Sequence, residues 1–293
     1  MSIIRLDAGP PSVRISSGDR ICAIVKGAQR KMAILTEILN AMGNVGVAYS
    51  GGVDSAFLLK VATDALKERA AGFLAVSASL PVREREEAIA LASSMGARLL
   101  LVDVDELSVK QYAENPRDRC YYCKRHILER IRSLANQLGI EHIVDGINGD
   151  DATSHRHGMR AARELGVRSP LAEAGLSKQE IRALSKALGL PTADRPHSAC
   201  LASRIPFGER ISKPKLSQVE RAESFLHDLG IGQLRVRHHG DIARIELEPA
   251  DFDRVLMNRH EIAAHFKSLG FRYICLDIQG FRTGSMEEAS TKE

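Results

Sequence analysis

The stretch that decides the fold is Val45-Gly46-Val47-Ala48-Tyr49-Ser50-Gly51-Gly52-Val53-Asp54-Ser55. It begins as an apolar run, turns at two glycines, and leads into residues 56–66, whose apolar side chains recur at helical spacing. This pattern predicts a strand, a tight turn and a helix. Glycines let the backbone approach an anion closely, and the first turn of a helix presents free N–H groups with a favourable dipole. The turn, with the hydroxyls of Ser50 and Ser55, is therefore expected to bind phosphate.

The turn does not end in the Gly-Lys-Ser/Thr of a Walker A loop, so γ-phosphoryl transfer is not the first interpretation. It resembles instead the PP-loop of the ATP pyrophosphatases, which include NAD synthetase, GMP synthetase and the tRNA-thiolating enzymes. The resemblance implies that ATP is cleaved between its α and β phosphates, that residues 50–55 retain the pyrophosphate, and that Asp54 reaches Mg²⁺. A glycine-rich turn with a helix-capping aspartate is the structural alternative.

Composition favours a soluble globular protein with a substantial core. The 293 residues are 44% apolar, which suffices for one large or two ordinary domains. No apolar run approaches the roughly 20 residues of a membrane span, and the N-terminus lacks the basic-then-apolar pattern of a signal peptide. We therefore expect a cytoplasmic protein without membrane attachment. A net charge of +4 suits an anionic small molecule, whereas 4% aromatic residues and the absence of tryptophan argue against a nucleic-acid surface.

Continuous apolar runs alternate with helical patterns in the first part of the chain. The runs at residues 73–78, 98–104 and 142–146 are typical of strands that are covered on both faces. Together with the run at 45–49, they predict an α/β fold with a Rossmann-like parallel sheet. After residue 213, the order helix, two alternating strands, helix and strand predicts a smaller α+β domain.

These patterns divide the chain into four segments. Residues 1–20 show little periodicity and are predicted to be a flexible extension. Residues 21–205 are predicted to form the nucleotide-binding PP-loop domain. Residues 206–282 are predicted to form the small domain, with a role in substrate binding or oligomerisation, and residues 283–293 a polar tail.

The chain has five cysteines, which is an odd number, and we expect it to be cytosolic. Metal or thiol chemistry is therefore expected rather than a disulfide framework. Cys120 and Cys123 form a Cys-x-x-Cys pair, which alone is compatible with redox chemistry, zinc, iron–sulfur ligation or two buried thiols. A zinc site would need further ligands at comparable spacing, and none occurs. With Cys200, this pair is predicted to lie in loops beside the nucleotide. Cys22 and Cys275 lie in apolar segments and are predicted to be buried in the core.

Longer motifs narrow the resemblance to a single family. Beside residues 50–55, the motifs are Asn115-Pro116-x-Asp118-Arg119-Cys120-Tyr121-Tyr122-Cys123-Lys124, Asp145-Gly146-x-Asn148-x-Asp150-Asp151, Val167-Arg168-Ser169-Pro170-Leu171, Ala199-Cys200-Leu201-Ala202-Ser203-Arg204-Ile205-Pro206-Phe207-Gly208 and Arg235-Val236-Arg237-His238-His239. On these motifs, the chain resembles the LarE family from about residue 33 to residue 281. These proteins are ATP-dependent sulfur transferases that help to build the nickel-pincer nucleotide cofactor of lactate racemase.

The LarE resemblance implies a two-stage reaction on pyridinium-3,5-biscarboxylic acid mononucleotide. ATP first adenylates a ring carboxylate and releases pyrophosphate. Sulfur then attacks the activated carboxyl group, AMP leaves, and a thiocarboxylate remains. Lys124 is expected to offset negative charge on phosphate or adenylate, and the family further implies a homo-oligomer.

The remaining polar residues of the motifs are candidates for ligand binding. Ser203, Arg204 and the Arg235/Arg237 pair are assigned to the phosphate and second carboxylate of the substrate, because guanidinium matches both groups bidentately. The alternative for the Arg-x-Arg pair is an exposed strand face. Asp150 and Asp151 are candidates for holding Mg²⁺ or ribose. The alternative is that they form a solvated acidic turn.

Within the family, the cysteine content indicates the sulfur source. Members with only the equivalent of Cys200 give up the sulfur of that residue, which becomes dehydroalanine. Members that also carry the Cys-x-x-Cys pair hold a [4Fe–4S] cluster by three thiolates, with one iron open to an extra sulfide. Because this chain has Cys120, Cys123 and Cys200, we expect cluster-dependent transfer, with sacrifice of Cys200 as the alternative.

Two other functions stay open at this point. A tRNA-thiolating PP-loop enzyme would also use three cysteines, but it needs a basic, aromatic RNA-binding surface that the C-terminal segment does not clearly carry. A non-catalytic iron–sulfur or nucleotide sensor would release no pyrophosphate from ATP in the presence of a carboxylate.

Overall fold

The structure is a computed structural model that describes residues 17–151, 157–195, 199–282 and 284–286, with side chains from residue 27 onward. Its helices are α1 (Ser17–Met42), α2 (Val53–Leu66), α3 (Val82–Ser94), α4 (Lys110–Ala113), α5 (Arg119–Gln137), α6 (His157–Glu164), α7 (Pro170–Glu173), α8 (Lys178–Ala187), α9 (Lys213–Asp228), α10 (Phe252–Met257) and α11 (Arg259–Ser268). Its strands are β1 (Val45–Tyr49), β2 (Ala70–Val76), β3 (Leu99–Asp103), β4 (His142–Val144), β5 (Leu234–His239), β6 (Ile242–Leu247) and β7 (Tyr273–Leu276).

The first four strands form a parallel sheet in the order β3-β2-β1-β4. Successive side chains of β2 point to opposite faces: Phe73 packs in a cluster with Leu128 of α5, whereas Leu74 packs in the cluster that contains Phe57 of α2. Helices therefore cover both faces of the central strands, which confirms the predicted α/β fold with a Rossmann-like parallel sheet.

Strand β3 departs from the prediction of complete burial. It lies at one edge of the sheet and pairs with β2 alone among the described strands. Leu99 and Leu100 pack against the clusters on the two faces, but the side chain of Leu101 is 51% exposed. The continuous apolar run thus predicted the strand correctly but overestimated its burial. An edge strand has a neighbouring strand on one side only, and less of its surface is packed against helices.

The second sheet has the order β5-β6-β7, with β5 and β6 antiparallel and β6 and β7 parallel. It has a separate core that includes Leu226 of α9, Val236, Ile245 and Phe266. The predicted α+β order is confirmed, except that the second helix of this order is divided at Asn258 into α10 and α11.

An additional apolar cluster joins the two predicted domains. It contains Tyr112, Leu201 and Ile205, which precede the predicted boundary at residue 206, together with residues that follow it: Ile211, Leu216 and Val219. We call it the bridging cluster. The boundary itself stays a prediction, and side chains on both sides of it share this core.

The ends of the chain differ in part from the prediction. Helix α1 begins at Ser17, four residues before the expected start, while residues 1–16 of the predicted extension lie outside the described residues. The predicted tail also lies outside them, apart from residues 284–286. Within the part that the structure describes, no helix combines the length and apolar character needed to cross a membrane.

Candidate active site

The PP-loop connects the end of β1 at Tyr49 to the start of α2 at Val53, as predicted. Gly51 has φ +74°, and a Cβ atom there would lie only 2.7 Å from Cβ of Ala88 on α3. Both the backbone conformation and the lack of space therefore require glycine at this position.

The two serines of the loop are bound to each other. The hydroxyl oxygens of Ser50 and Ser55 lie 3.0 Å apart, and Ser55 Oγ also accepts a hydrogen bond from the backbone nitrogen of Ser50 at 3.2 Å. In addition, Ser55 Oγ donates to the carbonyl oxygen of Gly52 at 3.1 Å. These contacts hold the loop in a closed turn at the N-terminus of α2, where N–H groups favour an anion.

A cavity of about 450 Å³ opens above this loop, at the carboxyl ends of β1, β2 and β4. Most of the predicted catalytic residues meet there; its polar and thiol lining includes residues 50–55, Cys123, Lys124, Asp145, Asp151, Lys178, Arg182, Arg195 and Cys200. Asp150 is not part of this lining and instead accepts a hydrogen bond from the backbone nitrogen of Lys178 at 2.8 Å. Ligands of open α/β sheets bind at this edge, so the cavity is the candidate nucleotide site.

Asp54 is the acidic residue of the loop, and its two oxygens have different surroundings. Oδ2 lies 2.5 Å from Nζ of Lys178, whereas Oδ1 is buried without a hydrogen-bond partner among the described residues. A buried carboxylate oxygen that faces a phosphate site fits Mg²⁺, which prefers oxygen ligands.

Asp145 was not among the predicted site residues, although it follows β4 directly. It is 2% exposed and lines the cavity; Oδ1 accepts a hydrogen bond from the hydroxyl of Ser169 at 2.8 Å. Burial raises the pKa of this carboxyl above its ordinary value, while the positive charge of Lys124 acts in the opposite direction. The position directly after a buried strand was the signal in the sequence that could have identified it.

The Cys-x-x-Cys pair was predicted to lie in a loop. It lies instead in the first turns of α5. The preceding turn ends at Asn115, with φ +58°, and helix formation resumes at Arg119. Cys120 is exposed, while Cys123 is half-buried and lines the cavity.

The Cys123 thiol lies within electrostatic reach of both Cys200 and Cys120. Burial raises the pKa of the Cys123 thiol well above its usual range, and negative charge on Cys200, Glu106 and Cys120 raises it further. Cysteine sulfur, which loses its proton when it binds iron, is a soft ligand suited to an iron–sulfur cluster, and two of these thiols, Cys123 and Cys200, line the cavity. Within the described ranges, however, no three His, Cys, Asp or Glu side chains are gathered closely enough to hold a metal ion.

Asn115 connects the segment that carries the Cys pair to the segment that follows Cys200. Its side-chain amide is buried and donates hydrogen bonds to the carbonyl oxygens of Pro206 at 2.7 Å and Glu209 at 3.0 Å. Its Oδ1 accepts from Arg119 at 2.8 Å. Together with the backbone hydrogen bond from Gly208 N to the Asn115 carbonyl at 3.0 Å, this amide fixes the two thiol-bearing segments to each other.

Two of the predicted substrate arginines are neutralised inside the protein. Arg204 is 2% exposed and makes two 2.9 Å hydrogen bonds to the carboxylate of Glu223. Arg237 is also buried; it bonds Oε2 of Glu246 at 2.7 and 2.9 Å and donates to the carbonyl oxygen of Ser203 at 3.1 Å. The alternative of an exposed strand face is thus wrong for Arg237, and both guanidinium groups already have carboxylate partners.

Arg235 differs from these two residues. It is half-buried, its guanidinium lies 5.2 Å from the ring centre of Phe281, and it makes no ion pair among the described residues. Burial and the charge of Arg204 lower its pKa to about 10. Arg235 lines a groove of about 580 Å³ that adjoins the nucleotide cavity, since Glu84 lines both.

Cys275 was predicted to be buried, and this prediction is wrong. It lies on β7, at the edge of the second sheet, and is exposed. Alternating side chains of an edge strand face solvent, which explains why an apolar neighbourhood in sequence did not bury this thiol. The side chain of Cys22 lies outside the described ones.

No family model matches the chain. An uncharacterized protein of Synechocystis is 41% identical over 266 residues, which cover 90% of this chain and 99% of that protein. Pyridinium-3,5-bisthiocarboxylic acid mononucleotide synthase of Lactiplantibacillus plantarum is 36% identical over 263 residues, which cover 89% of this chain and 95% of the synthase. An uncharacterized protein of Methanocaldococcus jannaschii is 30% identical over 237 residues, with 81% of this chain and 90% of that protein covered. On the similarity to the synthase, the chain belongs to the LarE family of ATP-dependent sulfur transferases.

Proposed function

We propose that the protein is a pyridinium-3,5-bisthiocarboxylic acid mononucleotide synthase. A carboxylate oxygen of pyridinium-3,5-biscarboxylic acid mononucleotide attacks the α-phosphorus of ATP and releases pyrophosphate; sulfur then attacks the carboxyl carbon, and AMP leaves. The observation that carries this proposal is one cavity lined by the PP-loop, Lys124, Cys123 and Cys200. ATP bound at the loop through its β and γ phosphates would have its α-phosphate in the same space as Cys123 and Cys200.

The residues around the phosphates have separate roles in this proposal. The N–H groups at the start of α2 bind the departing pyrophosphate. Asp54 would hold Mg²⁺, which supplies positive charge to the phosphates when bound. Lys124 lies within electrostatic reach of Asp145 and Cys123, so its ammonium is suited to offset charge on the adenylate beside the attacking sulfur.

Arg235 is the best candidate for recognising the anionic groups of the substrate. Its guanidinium donates to the carbonyl oxygen of Leu234 at 2.6 Å and keeps further N–H groups for a phosphate or carboxylate. Arg204 supports it indirectly, because Glu223, the partner of Arg204, also accepts from the backbone nitrogen of Val236 at 2.8 Å. We assign Arg204 and Arg237 to positioning and Arg235 to binding.

For the sulfur source, we propose that Cys120, Cys123 and Cys200 would hold a [4Fe–4S] cluster, which would supply sulfide when bound. Support comes from Cys123 and Cys200, which line one cavity, from Cys120 one helical turn before Cys123, and from Asn115, which links the segments that carry these thiols. The alternative source is the sulfur of Cys200 itself.

The test of the source starts from protein purified without oxygen and supplied with iron and sulfide. We expect about four irons and at least as many sulfides per chain, and their loss in Cys120→Ala/Cys123→Ala. Cys275→Ala is the matched control, because this exposed thiol lies in the second sheet and should not affect iron content. A colourless, iron-free wild type would refute the cluster and favour Cys200, whose sacrifice leaves a chain lighter by ~34 Da.

The test of the reaction uses the dicarboxylated mononucleotide, ATP and Mg²⁺. We expect pyrophosphate, AMP and a product heavier by ~16 Da, the mass change when sulfur replaces oxygen. Pyrophosphate release without a thiocarboxylate product would contradict sulfur transfer. A wild type that releases no pyrophosphate at all would favour a non-catalytic nucleotide-binding protein.

We propose that the protein acts in the cytoplasm, since exposed thiols stay reduced there. We also propose that the chain forms a homo-oligomer. Sedimentation of the full-length chain tests the second point, and a monomer at all concentrations would refute it.

A further inference from the structure

The chain returns to the second sheet after β7. We call this returning segment, residues 277–282 and 284–286, the C-terminal strap. The backbone nitrogen of Phe281 donates to the carbonyl oxygen of Leu247, the last residue of β6, at 2.9 Å. Gly280 has φ +74°, and a Cβ atom there would lie 3.0 Å from that same oxygen. The strap thus turns against β6 at a position that requires glycine, directly before Phe281.

The other end of the strap is anchored on a buried ion pair. Ser285 is 5% exposed, and its Oγ donates to Oε1 of Glu246 at 2.7 Å. The same hydroxyl oxygen accepts a hydrogen bond from Arg237, the ion-pair partner of Glu246, at 2.9 Å. Because loss of this hydroxyl would leave buried polar groups without a partner, the strap is fixed on both sides of Phe281.

Between these two anchors, the ring of Phe281 lies against Arg235. The guanidinium carbon is 5.2 Å from the ring centre, which is within the range of a cation–π attraction. One further contact holds the guanidinium, since its Nη1 donates to the carbonyl oxygen of Leu234 at 2.6 Å. Arg235 lines the groove of about 580 Å³, whereas Phe281 is not among the described residues that line it. The ring therefore contacts the guanidinium without lining the groove.

Arg235 needs such support because its neighbours carry the same charge. Burial and the positive charges of Arg204 and Arg237 lower its pKa to about 10. An aromatic face attracts the guanidinium without using any of its N–H groups, because these point outward in the plane of the group and the ring stacks on its face. The N–H groups that Leu234 does not occupy stay available for a phosphate or a carboxylate.

We infer that Phe281 is a positioning residue that holds the guanidinium of Arg235 in the orientation in which its N–H groups bind an anionic group of the substrate. This inference rests on the proposed function, which assigns the groove beside Arg235 to pyridinium-3,5-biscarboxylic acid mononucleotide. Phe281 acts through Arg235 and does not touch the substrate. An arginine that is held in place before the substrate arrives loses less conformational freedom on binding, so the strap increases affinity.

The experiment is a double-mutant cycle in the full-length protein. Calorimetry measures binding of pyridinium-3,5-biscarboxylic acid mononucleotide in the absence of ATP. Arg235→Met should weaken binding about tenfold, since charge-assisted hydrogen bonds are lost. Phe281→Leu should weaken it about fivefold. When Phe281→Leu is added to Arg235→Met, the affinity should change by less than about twofold, because the ring acts only through the guanidinium.

Two further variants of Phe281 separate the effect of the ring from the effect of packing. Phe281→Tyr keeps the aromatic face and should bind within about twofold of the wild type. Phe281→Met fills a similar volume without a ring and should show the same loss as Phe281→Leu. It takes the place of Phe281→Leu if thermal unfolding shows that the leucine variant does not fold.

Phe252→Leu is the matched control. Phe252 is a half-buried ring at the start of α10 that packs against the core of the second sheet. Among the described residues, it takes part in no cation–π contact. Its replacement should lower the melting temperature but leave the affinity within about twofold of the wild type.

Wild-type affinity in Phe281→Leu would overturn the inference. An equal loss with and without Arg235 would also overturn it, because the ring would then act independently of the guanidinium. Both results would leave the proposed function intact, since they presuppose a wild type that binds the mononucleotide. A wild type that does not bind it would refute the substrate groove and the proposed function, so the two failures are distinguishable.

Discussion

The carboxylate of Glu106 accepts a hydrogen bond from the backbone nitrogen of Ser79 at 3.0 Å, although Glu106 is only 1% exposed. The carbonyl oxygen of the same Ser79 accepts from the backbone nitrogen of Leu201 at 2.9 Å. A buried acid thus holds the backbone of Ser79, which in turn holds the residue after Cys200. These contacts fix the segment that carries Cys200, which we call the cysteine loop, to the segment that follows β2.

Replacement of Glu106 should therefore be costly, and the cost should depend on the acceptor. Glu106→Ala leaves the buried Ser79 N–H without its partner, which should lower the free energy of unfolding by about 1–3 kcal/mol. Glu106→Gln keeps an acceptor oxygen and should cost less. Urea unfolding of both variants measures the difference; equal losses would mean that the hydrogen bond does not contribute.

Arg204 and Arg235 should respond differently to the same substitution. Arg204→Met leaves Glu223 as a buried charge without its partner and should cost about 3–5 kcal/mol of stability. Arg235→Met removes no ion pair among the described residues, so stability should fall by about 1 kcal/mol or less, while KM for the anionic substrate rises. Thermal unfolding and steady-state kinetics test both parts, and a stable Arg204→Met protein would contradict the assigned structural role.

The pH dependence of stability should depend on Asp145. Because its pKa is raised in the fold, the folded chain binds this proton more tightly than the unfolded chain, and stability falls as pH rises above about 4. Asp145→Asn removes this penalty while Oδ1 can still accept from Ser169. The variant should be more stable than the wild type at pH 7, with a smaller gain near pH 4.

Urea unfolding at several pH values tests this expectation. Asp64→Asn is the control, because the Asp64 carboxylate is half-exposed and pairs with Lys60 at 2.7 Å. It should give no gain in stability at pH 7. A gain of equal size in Asp145→Asn at both pH values would show that the charge of this carboxylate is not the cause.

Gly146 should be required for nucleotide binding through its lack of a side chain. A Cβ atom there would lie 2.9 Å from the backbone nitrogen of Ser55, in the first turn of α2. Gly146→Ala should displace that turn and weaken ATP binding by at least about tenfold in calorimetry. Gly27→Ala, where a Cβ atom meets nothing within 4 Å, should leave the affinity unchanged. Equal affinities in all three proteins would contradict the steric argument.

The PP-loop could be predicted from the sequence because its signal is local. A strand, two glycines and a helix follow one another directly, and the requirement for Gly51 arises from its own φ and from one neighbouring helix. The parallel sheet could be predicted for the same reason, since burial of each strand is recorded in its own residues. The cover of β3 could not, because it depends on strand order.

The parts of the site that escaped prediction depend on contacts between distant residues. Lys178 lies 124 positions from its partner Asp54, and in sequence it shows only the pattern of a helix start. Arg204 and Glu223 are 19 positions apart on different elements, so an arginine in a ligand-rich motif could not be distinguished from one that is already neutralised. Sequence identifies which residues carry charge, whereas pairing is decided by the fold.

The bridging cluster has a consequence for how this protein can be divided. A gene fragment that ends at residue 205 would encode Leu201 and Ile205 without Ile211, Leu216 and Val219, and Arg204 without the carboxylate on α9. The segment that carries Cys200 would then lose its apolar contacts with residues 211–219, and Arg204 would lose the carboxylate that neutralises it. Recombination between PP-loop proteins at this boundary would separate Cys200 from the segment that keeps it in place.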